Sequence, residues 1–497
     1  MKRVSGILLP ITALPSPYGV GGFSAEAYRF VDWLRDAGQS VWQILPLGPT
    51  GYGDSPYQSF SSYAGNPYMI CLQTLCEEGL LTREECVEAH GESDDGHVDY
   101  GALYRDRYPL LRLAFSRSRG KENAARRRQA EKHEAWLREY ALFMAIKAHL
   151  GGIPLSLWHD ELRLRHPAAL EECRRQLAEE IEFQTFLQTE FFAQWEGLKS
   201  YANEQGIRIL GDLPIYVSAD SADVWLNPEL FLLDEKGIPT AVAGCPPDGF
   251  TPEGQLWGNP LYRWDTHEKD GFLWWRERLS HAFSMYDMVR IDHFRGFDSY
   301  YSIPYGAPNA VDGHWEVGPR MVLLDALRSV TEGKEVIAED LGYMTDSVRR
   351  LLRESGFPGM KILQFGFETV EDGFSGEYLP HMYGENSVAY TGTHDNPTLV
   401  GWLSSLSGDQ KAMVRDYLWD HDTPEHRLPE ALIALLMRSP SRMAIVPMQD
   451  YLGLDDRARM NRPATLGQNW SWRVSSEQLT DELAYHIRRL CTTGGRV

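Results

Sequence analysis

The chain has 497 residues, with 70 acidic against 49 basic side chains and a net charge of −21. That balance argues against nucleic acid or an anionic membrane as the main partner. An apolar content of 43% suffices for a sizeable core, which length alone would allow as two or three domains or as one large barrel with insertions.

The six cysteines (Cys71, Cys76, Cys86, Cys173, Cys245 and Cys491) include no CxxC pair, and their spacing suits neither zinc nor a redox motif. The expectation is reduced thiols, no metal, no cofactor and a cytoplasmic location. Pro10 and Pro15 interrupt the N-terminal apolar stretch before a signal-like core forms, and no 18-residue apolar run occurs. The chain therefore reads as soluble and unexported.

Ser5 to Leu9 reads as a first strand ended by Pro10. Ser24 caps a helix to Ala37 in which Ala27, Phe30, Trp33 and Leu34 share a face. Ser40 to Leu45 is a second strand, stopped by Pro46. The loop Leu47–Tyr68 that follows is rich in Gly, Pro, Ser and Tyr and poor in charge, which fits an ordered binding loop. From about 70 to 204 only helical patterns occur, at Leu72–Glu78, Tyr104–Phe115, Trp136–Leu150 and Ile181–Ala202. The basic run Ser116–Lys132 reads as a solvated helix face or loop. Residues 48–204 are thus expected to form a mainly helical insertion after strand two. Ile207 to Asp212 is a third strand, and residues 213–270, dense in Pro, Gly, Asp and Trp, read as a loop-rich insertion after it.

Phe272–Met285 reads as a helix whose Trp274–Trp275 pair fits core packing. A fourth strand starts at Met288. The fifth is Val336–Ala338, the sixth Lys361–Phe365, the seventh Ser387–Tyr390 and the eighth Arg442–Val446. Helical patterns at Arg320–Val330, Thr345–Glu354 and Asp409–Trp419 separate them, and a last helix runs near Gln478–Leu490. Eight strands alternating with helices is the count of a single closed barrel, so residues 1–497 are expected to form one α/β (β/α)8 TIM barrel.

Charged residues stand at the strand ends. In MVRIDHFRGF (Met288–Phe297), Arg290 and Asp292 are two residues apart and point to one face. A cation and a carboxylate at the end of a buried strand are expensive unless they pair or act on something. Glu339 follows strand five and Asp395 strand seven, at spacings of 47 and 56 residues, about one βα unit or slightly more. Asp212 follows strand three. On a barrel these groups meet at one mouth. Two or three carboxylates around a cleft suit glycoside chemistry: one ionises and attacks the anomeric carbon, another keeps its proton to expel the leaving oxygen and then serves as base. Crowding raises the pKa of one of them, which fits that division. Other readings stay open at this point. A single Asp could be a helix cap or half of a buried ion pair, and the same carboxylates could hold a divalent metal, although no His cluster supports it.

RIDHFRG, AEDLG and GTHDN, in that order, resemble the signature regions of the α-amylase superfamily. More closely, SGILLP, GYGDSPYQSFSSYAGNPY, GDLPIYV, PPDGF, GQLWGNPLY, RIDHFRGF, FPGMKILQF, YTGTHDN and NRPATLGQNWSWR resemble the 4-α-glucanotransferases (amylomaltases, or disproportionating enzymes) of glycoside hydrolase family seventy-seven. These matches span essentially the whole chain. GDLPIYV lacks the Asn-His ending of typical amylases, which removes a usual calcium ligand. Ala464 stands where the family often has Gly, and Pro10 where His is common; neither is a catalytic position. The chain stops soon after strand eight, so no C-terminal β-sandwich domain is expected.

The resemblance implies Asp292 as nucleophile, Glu339 as general acid/base and Asp395 as the carboxylate that stabilises the distorted, oxocarbenium-like sugar. It implies Arg290 holding Asp292 ionised and oriented, His394 and Asp212 bonding sugar hydroxyls, Tyr57 stacking on that sugar, and Trp257 and Asp248 covering the acceptor side. The expected activity is transfer of a segment of an α-1,4-glucan to the 4-hydroxyl of another glucan or of glucose through a covalent glycosyl-enzyme. Maltooligosaccharides would serve as donor and acceptor, and the active form would be a monomer or small homo-oligomer. An α-glucan hydrolase and a catalytically silent glucan-binding protein are the alternatives; the intact Asp292, Glu339 and Asp395 set speaks against the last.

Overall fold

Mostly apolar strands three to six residues long build the centre of the molecule. A computed structural model describes residues 3–51, 53–90, 96–247, 251–370, 373–374 and 376–497. Eight strands form one parallel sheet: β1 (Val4–Leu8), β2 (Val41–Gln43), β3 (Arg208–Leu213), β4 (Met288–Ile291), β5 (Glu335–Ala338), β6 (Gly359–Ile362), β7 (Ser387–Tyr390) and β8 (Met443–Pro447). Their order is β6-β7-β8-β1-β2-β3-β4-β5, so each strand neighbours the next in sequence. Across the remaining seam, Ala338 N–H donates to the Pro358 carbonyl at 3.0 Å and Met360 N–H to the Asp340 carboxylate at 2.6 Å. The result is the expected near-closed (β/α)8 barrel.

The two-residue period of a strand sorts the side chains. Leu8, Leu210, Met288, Ile337, Met360, Val388 and Ile445 fill the lumen. Ile7, Ile209, Val289, Ile291, Val336, Ala389 and Ala444 face outward into the larger core under the helices. The covering helices follow from spacing and caps. Ala25–Asp36 buries Ala27, Phe30, Val31, Trp33 and Leu34 on one side. Asp346–Ser355 starts at Thr345, whose hydroxyl accepts the Val348 N–H, and ends at Gly356 in the left-handed region with φ 74°.

Between β2 and β3 the chain forms helices including Tyr100–Ser118, Ala124–His149 and Ala178–Glu204, the last two packed side by side. They extend beyond the apolar spacing that announces them, because their polar ends are anchored. Asn123 caps one through the N–H groups of Ala125 and Arg126, and Arg126 pairs with Glu190 at 2.5 Å. Most of the run Ser116–Lys132 is therefore helix. The loop-rich reading of 213–270 misses more. Ala241–Cys245 and Gln255–Pro260 pair antiparallel, and with Ser299–Pro304 and His314–Val317, beyond β4, they make a second, four-stranded sheet. Gly244, Gly254 and Gly258 blur the strand period there. The sixth strand is also shorter than expected: it ends at Ile362, and Leu363–Phe367 is a 3-10 turn. Among the described residues no helix is long and apolar enough to cross a membrane.

Candidate active site

Strand parity delivers the charged groups to the mouth of the barrel. Arg290 lies in the same row as Met288, Asp212 as Leu210, and Glu339 as Ile337, so each stands above a lumen-filling apolar residue. The β3–β4 register sets Asp212 directly opposite Arg290. Arg290 Nη1 donates to both Asp212 oxygens, at 2.7 and 2.6 Å, and to Asp292 Oδ1 at 3.2 Å. Its Nη2 donates to Glu339 Oε2 at 2.9 Å. One guanidinium thus binds three carboxylates.

The group is layered. The side chains of Asp212 and Arg290 are 0% and 3% exposed, whereas those of Glu339, Asp292 and Asp395 are 15%, 24% and 46% exposed and face the cleft. Tyr57 donates its phenol to Asp212 Oδ2 at 2.7 Å. Both Asp212 oxygens accept from Arg290, Oδ2 also accepts from Tyr57, and the side chain is fully buried beneath the cleft. His293 has φ 47°, a left-handed conformation that costs a non-glycine residue on the order of 1 kcal/mol. It turns the His293 N–H onto Glu339 Oε2 at 2.7 Å.

The charges follow from these contacts. Burial works against ionising Arg290, but Asp212, Glu339 and Asp292 outweigh it and hold the guanidinium protonated. Burial and then the charge of Glu339 push Asp292 well above the usual carboxylate range, with Arg290 opposing. Glu339 is lowered: burial resists, but Arg290, His293 and the His293 N–H prevail. The two carboxyl groups lie within hydrogen-bonding reach, and the opposed shifts favour a proton between them on Asp292.

Asp395, in the loop after β7, stays ionised. Burial would raise it, but His394 and Asn461 hold it at about 2. Asn461 Nδ2 donates to Oδ1 at 2.6 Å, and His394 Nε2 lies 3.4 Å from Oδ2. Arg459 donates to the Asp395 backbone carbonyl and, at 2.8 Å, to that of Asn461, tying the loops after β7 and β8 together.

Aromatic rings line the cleft. Tyr57 stacks on His394 with centroids 5.2 Å apart, and Trp470 lies 6.0 Å from Tyr57 and 5.8 Å from His394. On another wall Trp257 meets His293 edge to face at 4.8 Å. Gln58 Nε2 reaches across to the Trp257 carbonyl at 3.3 Å and Asn259 Oδ1 at 3.0 Å, joining the Leu47–Tyr68 loop to the strand that carries Trp257.

Asp292, Glu339, Asp395, Arg290, Asp212, His394 and Tyr57 therefore converge, with Trp257 adjoining through His293. Asp248 lies outside the described residues. Asn461, Arg459, Trp470 and Gln58 have no strand-end signal. Asn461 and Trp470 fall within NRPATLGQNWSWR, a motif that carries no chemical cue of its own. The centre of the carboxylate cluster is filled by a guanidinium, and among the described residues no group of three or more His, Cys, Asp or Glu is arranged to hold a metal.

Comparison with known proteins agrees with this geometry. A sequence model described as 4-alpha-glucanotransferase matches residues 9–480. A 4-alpha-glucanotransferase of Thermus thermophilus is 46% identical over 506 aligned residues, covering 100% of both chains. One of Clostridium butyricum is 43% identical over 487, covering 98% of this chain and 99% of its own. A solved amylomaltase from Streptococcus agalactiae, in complex with acarbose, superposes with a TM-score of 0.95 at 41% identity over 100% of both chains. The chain belongs to the 4-alpha-glucanotransferase family.

Proposed function

We propose that the chain is a glycosyltransferase that moves a 4-α-glucanosyl segment from one α-1,4-glucan to the 4-hydroxyl of another glucan or of glucose, with retention of configuration. The observation that carries this is the Asp292–Glu339 pair, in mutual contact and bridged by Arg290. An inverting route would need a water-sized gap of roughly 6.5–9.5 Å between the carboxyls, while a retaining one brings them to about 5–5.5 Å.

A donor glucan entering the cleft separates the pair. Glu339 takes the shared proton, and Asp292 ionises beside Arg290. Glu339 then protonates the glycosidic oxygen, the C1–O bond breaks, and an Asp292 oxygen bonds to C1. Ionised Asp395 faces the positive charge that develops on the ring. The departing glucan leaves with a free 4-hydroxyl. In the second step an acceptor 4-hydroxyl gives its proton to Glu339 and attacks C1, and the ester to Asp292 breaks. His394 bonds a sugar hydroxyl, and Tyr57 and Trp257 stack on donor and acceptor rings. Asp248, in PPDGF, belongs to the acceptor side in this reading. The whole chain acts as one catalytic unit, with residues 48–204 and 213–270 walling the cleft. It works in the cytoplasm as a monomer or small homo-oligomer, on maltooligosaccharides without a cofactor.

The names of the relatives support transfer over hydrolysis. Incubation with maltotriose alone tests it. Glucose plus a ladder of longer oligosaccharides, at a nearly constant total of reducing ends, is the expected result. Reducing ends that climb with substrate loss, with no product longer than the starting sugar, would make the protein an α-glucan hydrolase.

A further inference from the structure

Away from the catalytic cleft, a groove of about 520 Å³ opens between the helix Ala124–His149 and the helices Leu273–Met285 and Arg320–Thr331. That volume falls within the roughly 300–1,000 Å³ of small-ligand sites. Its aromatic walls are Trp136 and Tyr63, half-buried, with ring centroids 6.2 Å apart and planes inclined by 32°. Arg276, Glu277 and Asn227 line it with planar polar groups. Among the described residues the buried Nε of Arg276 has no hydrogen-bond partner, so none of them offsets the desolvation of this donor.

Apolar ring faces beside fork-shaped donors and carboxylates are what a pyranose recognises: its C–H face stacks and its hydroxyls bridge the polar rim. The groove is also joined to the cleft by one loop. Ser61 lines both this groove and the pocket that contains Tyr57 and Asp212, and Ser62 between them is fastened to Asp223 by its N–H and hydroxyl.

We propose that this groove is a second α-glucan site, outside the catalytic cleft, in which Trp136 and Tyr63 stack on glucose units and Arg276 bonds their hydroxyls. The identity of the ligand rests on the transferase reading above. A polymer held here keeps its free end at high effective concentration near the cleft, so the site serves long glucans and adds little for short ones.

Calorimetric titration with maltoheptaose, on the full-length Asp292→Asn chain that cannot turn it over, tests the assignment. Two binding events are expected in this parent. One of them should be lost, or weakened at least tenfold, when Trp136→Ala is added. Because Trp136 also packs against Phe192 and Tyr140, Ser280→Trp supplies a second variant that fills the groove from its exposed rim and removes no packing; it should lose the same event. The cleft event is the internal control in both. A single event in the parent, or two that survive both substitutions, overturns the second site and leaves the transferase reading standing. No maltoheptaose binding by the parent, together with no change of maltotriose by the wild-type chain, overturns both.

Discussion

At the scale of single residues, Arg290 sets the electrostatics of the site. It is buried and bound to Asp212, Asp292 and Glu339 at once. Removing one partner of a buried ionic cluster leaves uncompensated charge, at a typical cost of about 3–5 kcal/mol. Arg290→Ala should therefore lose stability on that scale in a denaturant melt as well as activity, and Arg290→Lys should not rescue it, since a point charge cannot bridge three carboxylates. Asp292→Asn, Glu339→Gln and Asp395→Asn should each lower kcat by several orders of magnitude with the fold intact; general acid–base catalysis alone is worth about 10²–10⁴-fold. Near-normal turnover by Asp292→Asn would remove it as nucleophile.

Asp292 also makes a stability prediction. Its folded-state pKa lies above its unfolded value, by burial and by the charge of Glu339. The folded chain then binds that proton more tightly than the unfolded one, so stability falls as pH rises from about 4 through the folded pKa. Asparagine removes the effect. The melting temperature of Asp292→Asn should exceed that of the wild type at pH 7, and the gap should shrink toward pH 4. A constant gap across that range would contradict the assignment.

At the scale of elements, the cleft is walled by pieces from distant parts of the chain that hold one another. Gln58, from the loop after β2, grips the strand Gln255–Pro260. Arg459 and Asn461, after β8, fix the loop that carries Asp395. A glycosyl-enzyme must meet an acceptor sugar before water, and an acceptor held in attack geometry can be worth an effective molarity of about 10⁵–10⁸ M. Trp257→Ala should cut the transfer-to-hydrolysis ratio roughly two- to tenfold, the equivalent of one aromatic contact of about 0.5–1.5 kcal/mol. Gln58→Ala should act in the same direction by loosening the strand. The measurement is glucose and oligosaccharide products against new reducing ends, from maltotriose at fixed conversion.

At the scale of the molecule, Arg496 ties the segment after the last helix to the base of the barrel beside β1 and β8. Its side chain is fully buried and donates to the carbonyls of Met437, Val4, Ser441 and Ser439 at 2.8 to 3.1 Å, so the chain terminus is stitched to β1 and to the approach to β8. A hydrogen bond to a charged group is worth about 1.5–3 kcal/mol, and here several are lost together. Arg496→Ala should lower the unfolding free energy by about 3 kcal/mol or more, with an unchanged kcat for whatever fraction stays folded. A loss in kcat per folded molecule would instead connect this end of the barrel to the mouth.

The barrel was legible in the chain because its strands are short apolar runs stopped by Pro, Gly or a charge, a signal set by local residue type. The carboxylates at the barrel mouth were legible for the same reason: Asp292 and Glu339 directly follow buried strands, where an unpaired charge has no cheap structural excuse, and Asp395 follows soon after a third. Tertiary structure alone decided the rest. The hairpin Ala241–Cys245 and Gln255–Pro260 is half polar and broken by glycines, and it becomes sheet only through pairing with Ser299–Pro304. Asn461 and Arg459 lie 66 and 64 residues from the Asp395 they hold, with no periodicity to announce the contact. The same holds for the proton on Asp292. Sequence places two acids at one mouth, but which of them ionises depends on distances to Arg290 and to the His293 N–H, and those exist only once β4, β5 and a left-handed turn have come together.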